Sequence, residues 1–303
     1  MTARSSAATG RTLVYLSYGA GPQTDEAVYA LLSAHRARRG DARTGLLLYT
    51  DQPRAFTGLP VEVREVSAAE LDDWAGPDGY LHRRKTQVLR DALARQGHPI
   101  AFVDSDTWFR RPAAELFARV GPGAVALHLR EGRLLDSNSP AKHALSAHVA
   151  GRTFAGAGAG AGGQPLVLEP NATMWNSGVV GIDPADAPLL DAALSLVDQV
   201  WAGYRGSHDV EQFALGQVLE RSARVSETAD VVYHYWPAPV RDPWRARLPG
   251  LLADTAGLPV DERAEVLHRH RPRPAGVAAL RFAAKQVYRS TGRSTPGVRS
   301  SCT

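Results

Sequence analysis

A single cysteine, Cys302, stands next to last among the 303 residues. It cannot close a disulfide within the chain, so a disulfide scaffold and a cysteine-based zinc site are both excluded, and a reducing compartment is the expectation. Also missing is any run of the roughly 18 to 20 apolar residues needed to span a bilayer, and Met1–Arg11 lacks the apolar core of a signal peptide. A cytoplasmic protein with a disordered leader over residues 1–10 is expected. Charge of one sign is scarce too: 35 Lys and Arg against 31 Asp and Glu leave +4, too mild to point to nucleic acid, and no such partner is expected. With 44% hydrophobic and 22% charged residues, disorder throughout is excluded and a substantial core can be buried.

What is present is densest at Ile100–Arg111, IAFVDSDTWFRR. The apolar run Ile100–Val103 reads as a strand buried on both faces, as in a parallel sheet covered by helices. Asp104 and Asp106 then stand where the strand ends, and the carboxyl ends of strands in an open α/β sheet form the crevice that holds ligands. Two carboxylates this close repel unless a cation neutralises them, and hard divalent ions prefer oxygen ligands and bridge to substrate phosphates. A site for Mn²⁺ or Mg²⁺ and a diphosphate is the expectation.

The rest of the chain alternates strand and helix. Thr12–Ser17 reads as a strand, the glycine-bearing turn Tyr18–Pro22 can approach a nucleotide closely, and a helix follows over Glu26–Arg38. Strands at Gly45–Tyr49 and Val61–Val66 with short polar links indicate a mostly parallel sheet. Asp51, at another strand end, either holds a ribose or base or forms the turn before Pro53. The next helix carries the stripe Leu81, Val88, Leu89, Ala92, Leu93, and its missing member is Lys85. A lysine on a buried face needs an anionic partner, either Asp104 or a donor phosphate, or else it snorkels past the core edge; Arg83, Arg84 and Arg90 read as solvated. A helix over Ala113–Val120 and a strand over Ala124–His128 come next. Residues 130–163 lose periodicity, and Ala155–Gly163 reads as a lid or a flexible insertion.

Asn176-Ser177-Gly178 reads as a polar turn feeding the strand Val179–Ile182, with Gly178 permitting close approach of a sugar or phosphate. A helix spans Pro188–Tyr204, and another starts at Ser207 or Asp209, with Asp209 and Gln212 as a capping pair. Val231–Trp236 reads as the last core strand, in which His234 is either a core residue or a third metal ligand. From Asp261 the chain turns basic, and Val277–Tyr288 has the pattern of a basic amphipathic helix suited to packing on its own domain or to an anionic membrane surface.

Taken in order, these residues resemble glycosyltransferases of the GT-A fold, most closely family 8, to which glycogenin and the bacterial lipopolysaccharide galactosyl- and glucosyltransferases belong. The resemblance covers roughly residues 11–236 and rests on a tyrosine-bearing first loop, the lysine helix, Asp104-Ser105-Asp106 as the DxD motif, Asn176-Ser177-Gly178-Val179, the acid-Gln pair Glu211-Gln212, and a late histidine, His234. It implies a GT-A domain over 11–260 with a basic appendage over 261–303. It also implies transfer of a hexose from a nucleotide diphosphate sugar to a hydroxyl on a glycan, lipid-linked or small-molecule acceptor, with retention; peripheral contact with the inner face of the membrane is a separate expectation, carried by the basic C-terminal helix. Asp106 and His234 would bind Mn²⁺ or Mg²⁺, and Asp104 the metal or the ribose. Tyr18, Gly19, Asp51, Lys85, Ser105, Ser177 and Gly178 would surround the donor, Asn176 and Gln212 would contact the transferred sugar, and Glu211 would be the acid near the reacting carbon. Two departures stand out: the family's glycine and lysine after the histidine are absent, leaving Arg241 to replace the lysine or the phosphate contact to be lost, and Glu211 stands where Asp is usual. The competing expectations are a catalytically inactive binding protein of the same fold and a phosphohydrolase of the haloacid dehalogenase type.

Overall fold

Residues 10–158 and 164–273 are described in a computed structural model of the chain. β1 (Arg11–Ser17) leads into α1 (Pro22–Ala37), where Pro22 at the first turn is preset for helix. β2 (Thr44–Thr50), β3 (Glu62–Glu65), α2 (Ala68–Ala75) and α3 (Arg83–Gln96) follow. Ser67 starts α2 with a capping box: its hydroxyl accepts from the Glu70 amide while the Glu70 carboxylate accepts from the Ser67 amide. Next come β4 (Ile100–Val103), β5 (Thr107–Phe109), α4 (Ala113–Phe117), β6 (Ala124–Arg133), α5 (Pro140–Val149), the short pair β7 (Thr153–Phe154) and β8 (Leu166–Val167), and β9 (Thr173–Ile182). α6 (Pro188–Gly203), α7 (Val210–Ser222), β10 (Arg224–Glu227), β11 (Val232–His234), α8 (Ala238–Asp254) and α9 (Val260–Arg269) complete the described chain.

Seven strands form one sheet in the order β10-β6-β9-β4-β1-β2-β3. Every pairing is parallel except the two made by β9, which runs against both β4 and β6. The fold is therefore α/β with a mostly parallel central sheet flanked by helices. Strand alternation sends side chains to two cores: Val14, Leu47 and Phe102 pack on the face covered by α3, α6 and α7, while Leu13, Tyr15, Ala101 and Val103 pack on the face covered by α1, α8 and α9. Those apolar runs are legible as strands because both faces are dry.

Several expectations change. Asn176-Ser177-Gly178 is not a turn but the buried middle of the ten-residue β9. Val231–Trp236 does not add a strand to the central sheet; β11 pairs antiparallel with β5 in a separate ribbon. Residues 130–163 are not aperiodic throughout, since β6 continues to Arg133 and Ser139 caps α5, its hydroxyl accepting from the Lys142 amide. Ala157, in the glycine-rich stretch, is fully buried, and residues 159–163 lie outside the described residues. Leu81 stands half exposed before α3, whereas Arg84, expected to be solvated, is buried with its Nε donating to the Leu71 carbonyl. Asp209 makes no side-chain cap on α7. The helix expected at Val277–Tyr288 and the leader over residues 1–9 also lie outside the described residues.

The basic region begins inside α9, which packs on α1 through buried Ala264 and Leu267 and through the Tyr29 hydroxyl donating to the His270 carbonyl. Among the described residues, no helix is long and apolar enough to cross a membrane.

Candidate functional site

A cleft of about 800 Å³ opens at the carboxyl ends of β1 and β4, where Ser17 and Tyr18 leave one strand and Asp104 to Asp106 leave the other. Because β9 is reversed, its first half, carrying Asn176 and Ser177, comes to this same end. The first turn of α7 adds Glu211 and Gln212, α3 adds Lys85, and β11 adds His234. Asp104, Asp106 and His234 each offer one donor atom, all within 4.8 Å of one another.

The imidazole is oriented by its neighbours. Asn176 Nδ2 donates to Glu131 Oε1 at 3.1 Å, so its Oδ1 is the acceptor that meets the Gly178 amide at 3.0 Å and His234 Nδ1 at 2.9 Å. Nδ1 therefore carries a proton. Nε2 lies 3.0 Å from Asp106 Oδ1 and 3.8 Å from Asp104 Oδ2. It either donates a second proton to Asp106 or offers its lone pair to a metal. Two carboxylates and an imidazole whose far nitrogen donates to an amide oxygen form a donor set that fits Mn²⁺ or Mg²⁺. Gly178 is required here for an unexpected reason: a Cβ on it would stand 2.2 Å from His234 Nδ1. The close approach is made by the imidazole rather than by a ligand.

Lys85 Nζ sits 2.9 and 3.1 Å from the two Asp104 oxygens and donates to the carbonyl and hydroxyl of Ser177 at 3.2 and 3.1 Å. Burial works against its charge, but Asp104 and Glu211 outweigh burial and raise its pKa. Burial also pushes the Asp106 carboxyl up, yet His234 and then Arg241 hold it well below the usual carboxylate range. Arg241 places Nη1 2.8 Å from Asp106 Oδ2, while its Nε and Nη2 donate to Glu26 at 2.9 and 2.8 Å.

Glu211 is buried, and desolvation raises its pKa to about 7. Its Oε2 accepts from the Ser177 hydroxyl at 3.2 Å and lies 4.0 Å from Lys85 Nζ, while its Oε1 is buried without a hydrogen-bond partner. Its backbone is held by Tyr80, whose hydroxyl accepts from the Glu211 amide at 2.8 Å and donates to the His208 carbonyl at 2.6 Å. Gln212 Oε1 accepts from the Ser177 amide at 3.4 Å.

Tyr18, Lys85, Asp104, Ser105, Asp106, Asn176, Ser177, Glu211, Gln212 and His234 thus meet around one cleft. Asp51, Gly19 and Gly178 stand behind its lining. Both Asp51 oxygens accept from the Gly19 amide, at 3.0 and 3.1 Å, which fixes the first loop with Gly19 at φ 72°. Sequence reasoning missed Glu26, Tyr80 and the Glu131–Lys142 pair, joined at 2.7 Å. Glu26 carried the signal that marks Lys85, a charge on a buried helical face beside Tyr29, Ala30 and Ser33; Glu131 and Lys142 carried none. No protein-family model matches the chain, and no curated protein matches it at a significant level.

Proposed function

We propose that this chain is a metal-dependent glycosyltransferase of the GT-A type, similar to family 8, which moves a hexose from a nucleotide diphosphate sugar to a hydroxyl acceptor with retention. The observation that carries the reading is the convergence on one cleft of Lys85, Asp104, Asp106, Asn176, Ser177, Glu211, Gln212 and His234, drawn from separate segments of the chain in the order the resemblance requires. Asp104, Asp106 and His234 would hold Mn²⁺ or Mg²⁺, which as a Lewis acid would stabilise charge on the leaving diphosphate.

The chain's own groups supply the rest. Lys85 neutralises Asp104 and fixes it against β9, so the cleft keeps its shape when the diphosphate leaves. Arg241 lines the cleft with two of its five N–H bonds uncommitted by Glu26 and Asp106, and these suit phosphate oxygens. Glu211 lines the cleft and brings an acidic group to the side where the sugar would lie, and the Gln212 amide group beside it adds a donor.

The test is thermal unfolding with a panel of nucleoside diphosphates and their sugars, each with and without Mn²⁺. A ligand at 100 times its Kd adds about 2.7 kcal/mol to the folded state, so one nucleotide is expected to raise the Tm, and only with Mn²⁺ present. Asp106→Ala is expected to abolish that shift while leaving a folded protein. Absence of any shift in the wild type would overturn the reading.

A further inference from the structure

Charge is divided unevenly along the chain. Residues 1–265 hold 27 Lys and Arg against 31 Asp and Glu, whereas residues 266–303 hold eight Lys and Arg and no acid. The fold delivers the start of that basic segment to one place. α9 ends at Arg269, and Arg271 then lays its guanidinium over Trp108 of β5, Cζ 5.0 Å from the ring centroid. Arg110, just after β5, lies over the same indole at 5.9 Å and over Tyr233 of β11 at 4.4 Å.

Two exposed cations thus share one aromatic platform. Stacking on a ring face holds a guanidinium in place and leaves its N–H edge available. Arg110 donates one N–H to the Ala229 carbonyl at 3.3 Å, and Arg271 makes two long contacts of 3.4 Å with His268. Neither is ion-paired among the described residues, although Arg111 beside them reaches both Glu115 and Asp230. Like charges held this close repel unless an anion lies against them.

We propose that the β5–β11 ribbon, with Arg110 and Arg271 fixed on Trp108 and Tyr233, is a docking surface for an anionic phospholipid membrane. Phosphodiester headgroups supply the missing counter-charge, which guanidinium edges meet at two points. An anionic surface repels the net acidic body and attracts the basic end, so the charge division also sets the orientation. Beyond Arg273 the sequence interleaves Arg281, Lys285 and Arg289 with Leu280, Phe282, Val287 and Tyr288. That mixture suits the boundary between headgroups and acyl chains, whereas a nucleic-acid backbone would engage only the charges. Trp108 and Tyr233 pair one position along the ribbon from Thr107 and His234, so docking brings the cleft close to the headgroups. The surface does not depend on the proposed function and adds to it where the chain works.

The experiment is cosedimentation of the full chain with vesicles of phosphatidylcholine, and of phosphatidylcholine mixed with phosphatidylglycerol, at low and high salt. Wild type is expected to bind only the vesicles that contain phosphatidylglycerol, and to leave them as salt rises. Arg110→Gln combined with Arg271→Gln is expected to weaken binding about 25-fold, at about fivefold for each arginine near an anionic surface; each single variant serves if the double variant fails to fold. Arg54→Gln combined with Arg224→Gln removes the same charge from exposed positions after β2 and on β10, and is expected to bind as wild type does. Binding by the ribbon variant as tight as wild type, or equal weakening by the two double variants, overturns the docking surface. So does a wild type that binds duplex DNA more tightly than the anionic vesicles. A Tm raised by inorganic phosphate without vesicle binding would assign the two arginines to free phosphate and overturns it as well. Nucleotide-dependent Tm shifts with Mn²⁺ report on the cleft separately, so either reading can fail alone.

Discussion

Glu211 divides its carboxylate between a hydrogen bond to Ser177 and a buried, unpartnered oxygen, and its pKa of about 7 records what that costs. A carboxyl whose folded pKa lies above its ordinary value of 4.5 binds its proton more tightly when folded, so stability falls as pH rises from about 5 through 7. Glu211→Gln mimics the protonated form. In metal-free buffer it is expected to lie within about 1 kcal/mol of wild type at pH 5 and to exceed it by about 3 kcal/mol at pH 8, at about 1.4 kcal/mol per pKa unit. Urea unfolding at the two pH values checks this; an equal difference at both would contradict it. Gly178 tests the same network through shape. Gly178→Ala forces a methyl into the His234 ring and is expected to cost about 2–3 kcal/mol, in the range of overpacked cores. It should also weaken Mn²⁺ binding, read by calorimetry, because the imidazole must move off the two aspartates.

At the scale of elements, the start of α7 depends on a side chain from before α3. Tyr80 both receives the Glu211 amide and holds the His208 carbonyl, so the first turn of α7 is tied to the loop preceding it without an N-cap. Tyr80→Phe leaves two backbone groups unpaired and is expected to lower stability by about 1–3 kcal/mol, measured by denaturant titration; an unchanged midpoint would show that water replaces the hydroxyl. Continuous apolar runs such as Leu13–Leu16 and Ile100–Val103 made the sheet readable, since strands dry on both faces leave that imprint. The reversed strand was not readable. Asn-Ser-Gly has the composition of a turn, and within a strand its polar groups are met by Lys85, Glu131, Glu211, Gln212 and His234, all distant in sequence. Arg84 misled in the opposite sense: its guanidinium lies over Tyr18, Cζ 4.7 Å from the ring centroid, and its Nε donates to the Leu71 carbonyl, which helical periodicity does not encode. The aspartates, Lys85 and the late histidine were legible because charge beside or within apolar runs is costly unless used.

Across the whole molecule, α8 and α9 close one face of the sheet. Trp244, Leu248 and Leu267 join the core beneath α1, and Tyr29 meets Trp244 edge-on at 4.9 Å. The chain up to Arg269 is therefore expected to unfold as one unit. Leu267→Ala should cost about 2–4 kcal/mol and shift a single transition, followed by calorimetry; a separate early transition confined to the C-terminal helices would show that they melt alone.

The reversal of β9 has a consequence for how this architecture can diversify. Arg133 on β6 is paired directly with Thr173 on β9, so residues 134–172 leave and rejoin the sheet side by side, as an enlarged hairpin closed at its base. Loop-closure entropy grows only slowly with length, and here the closing pair is supplied by the sheet itself. Ser137, Ser139 and Lys142, which line one side of the cleft, all lie on this excursion. An insertion at an exposed turn of this excursion would leave the strand order as it is, whereas Leu145, Val149, Phe154 and Leu168 tie the excursion itself into the core and fix where its cleft-facing side chains stand.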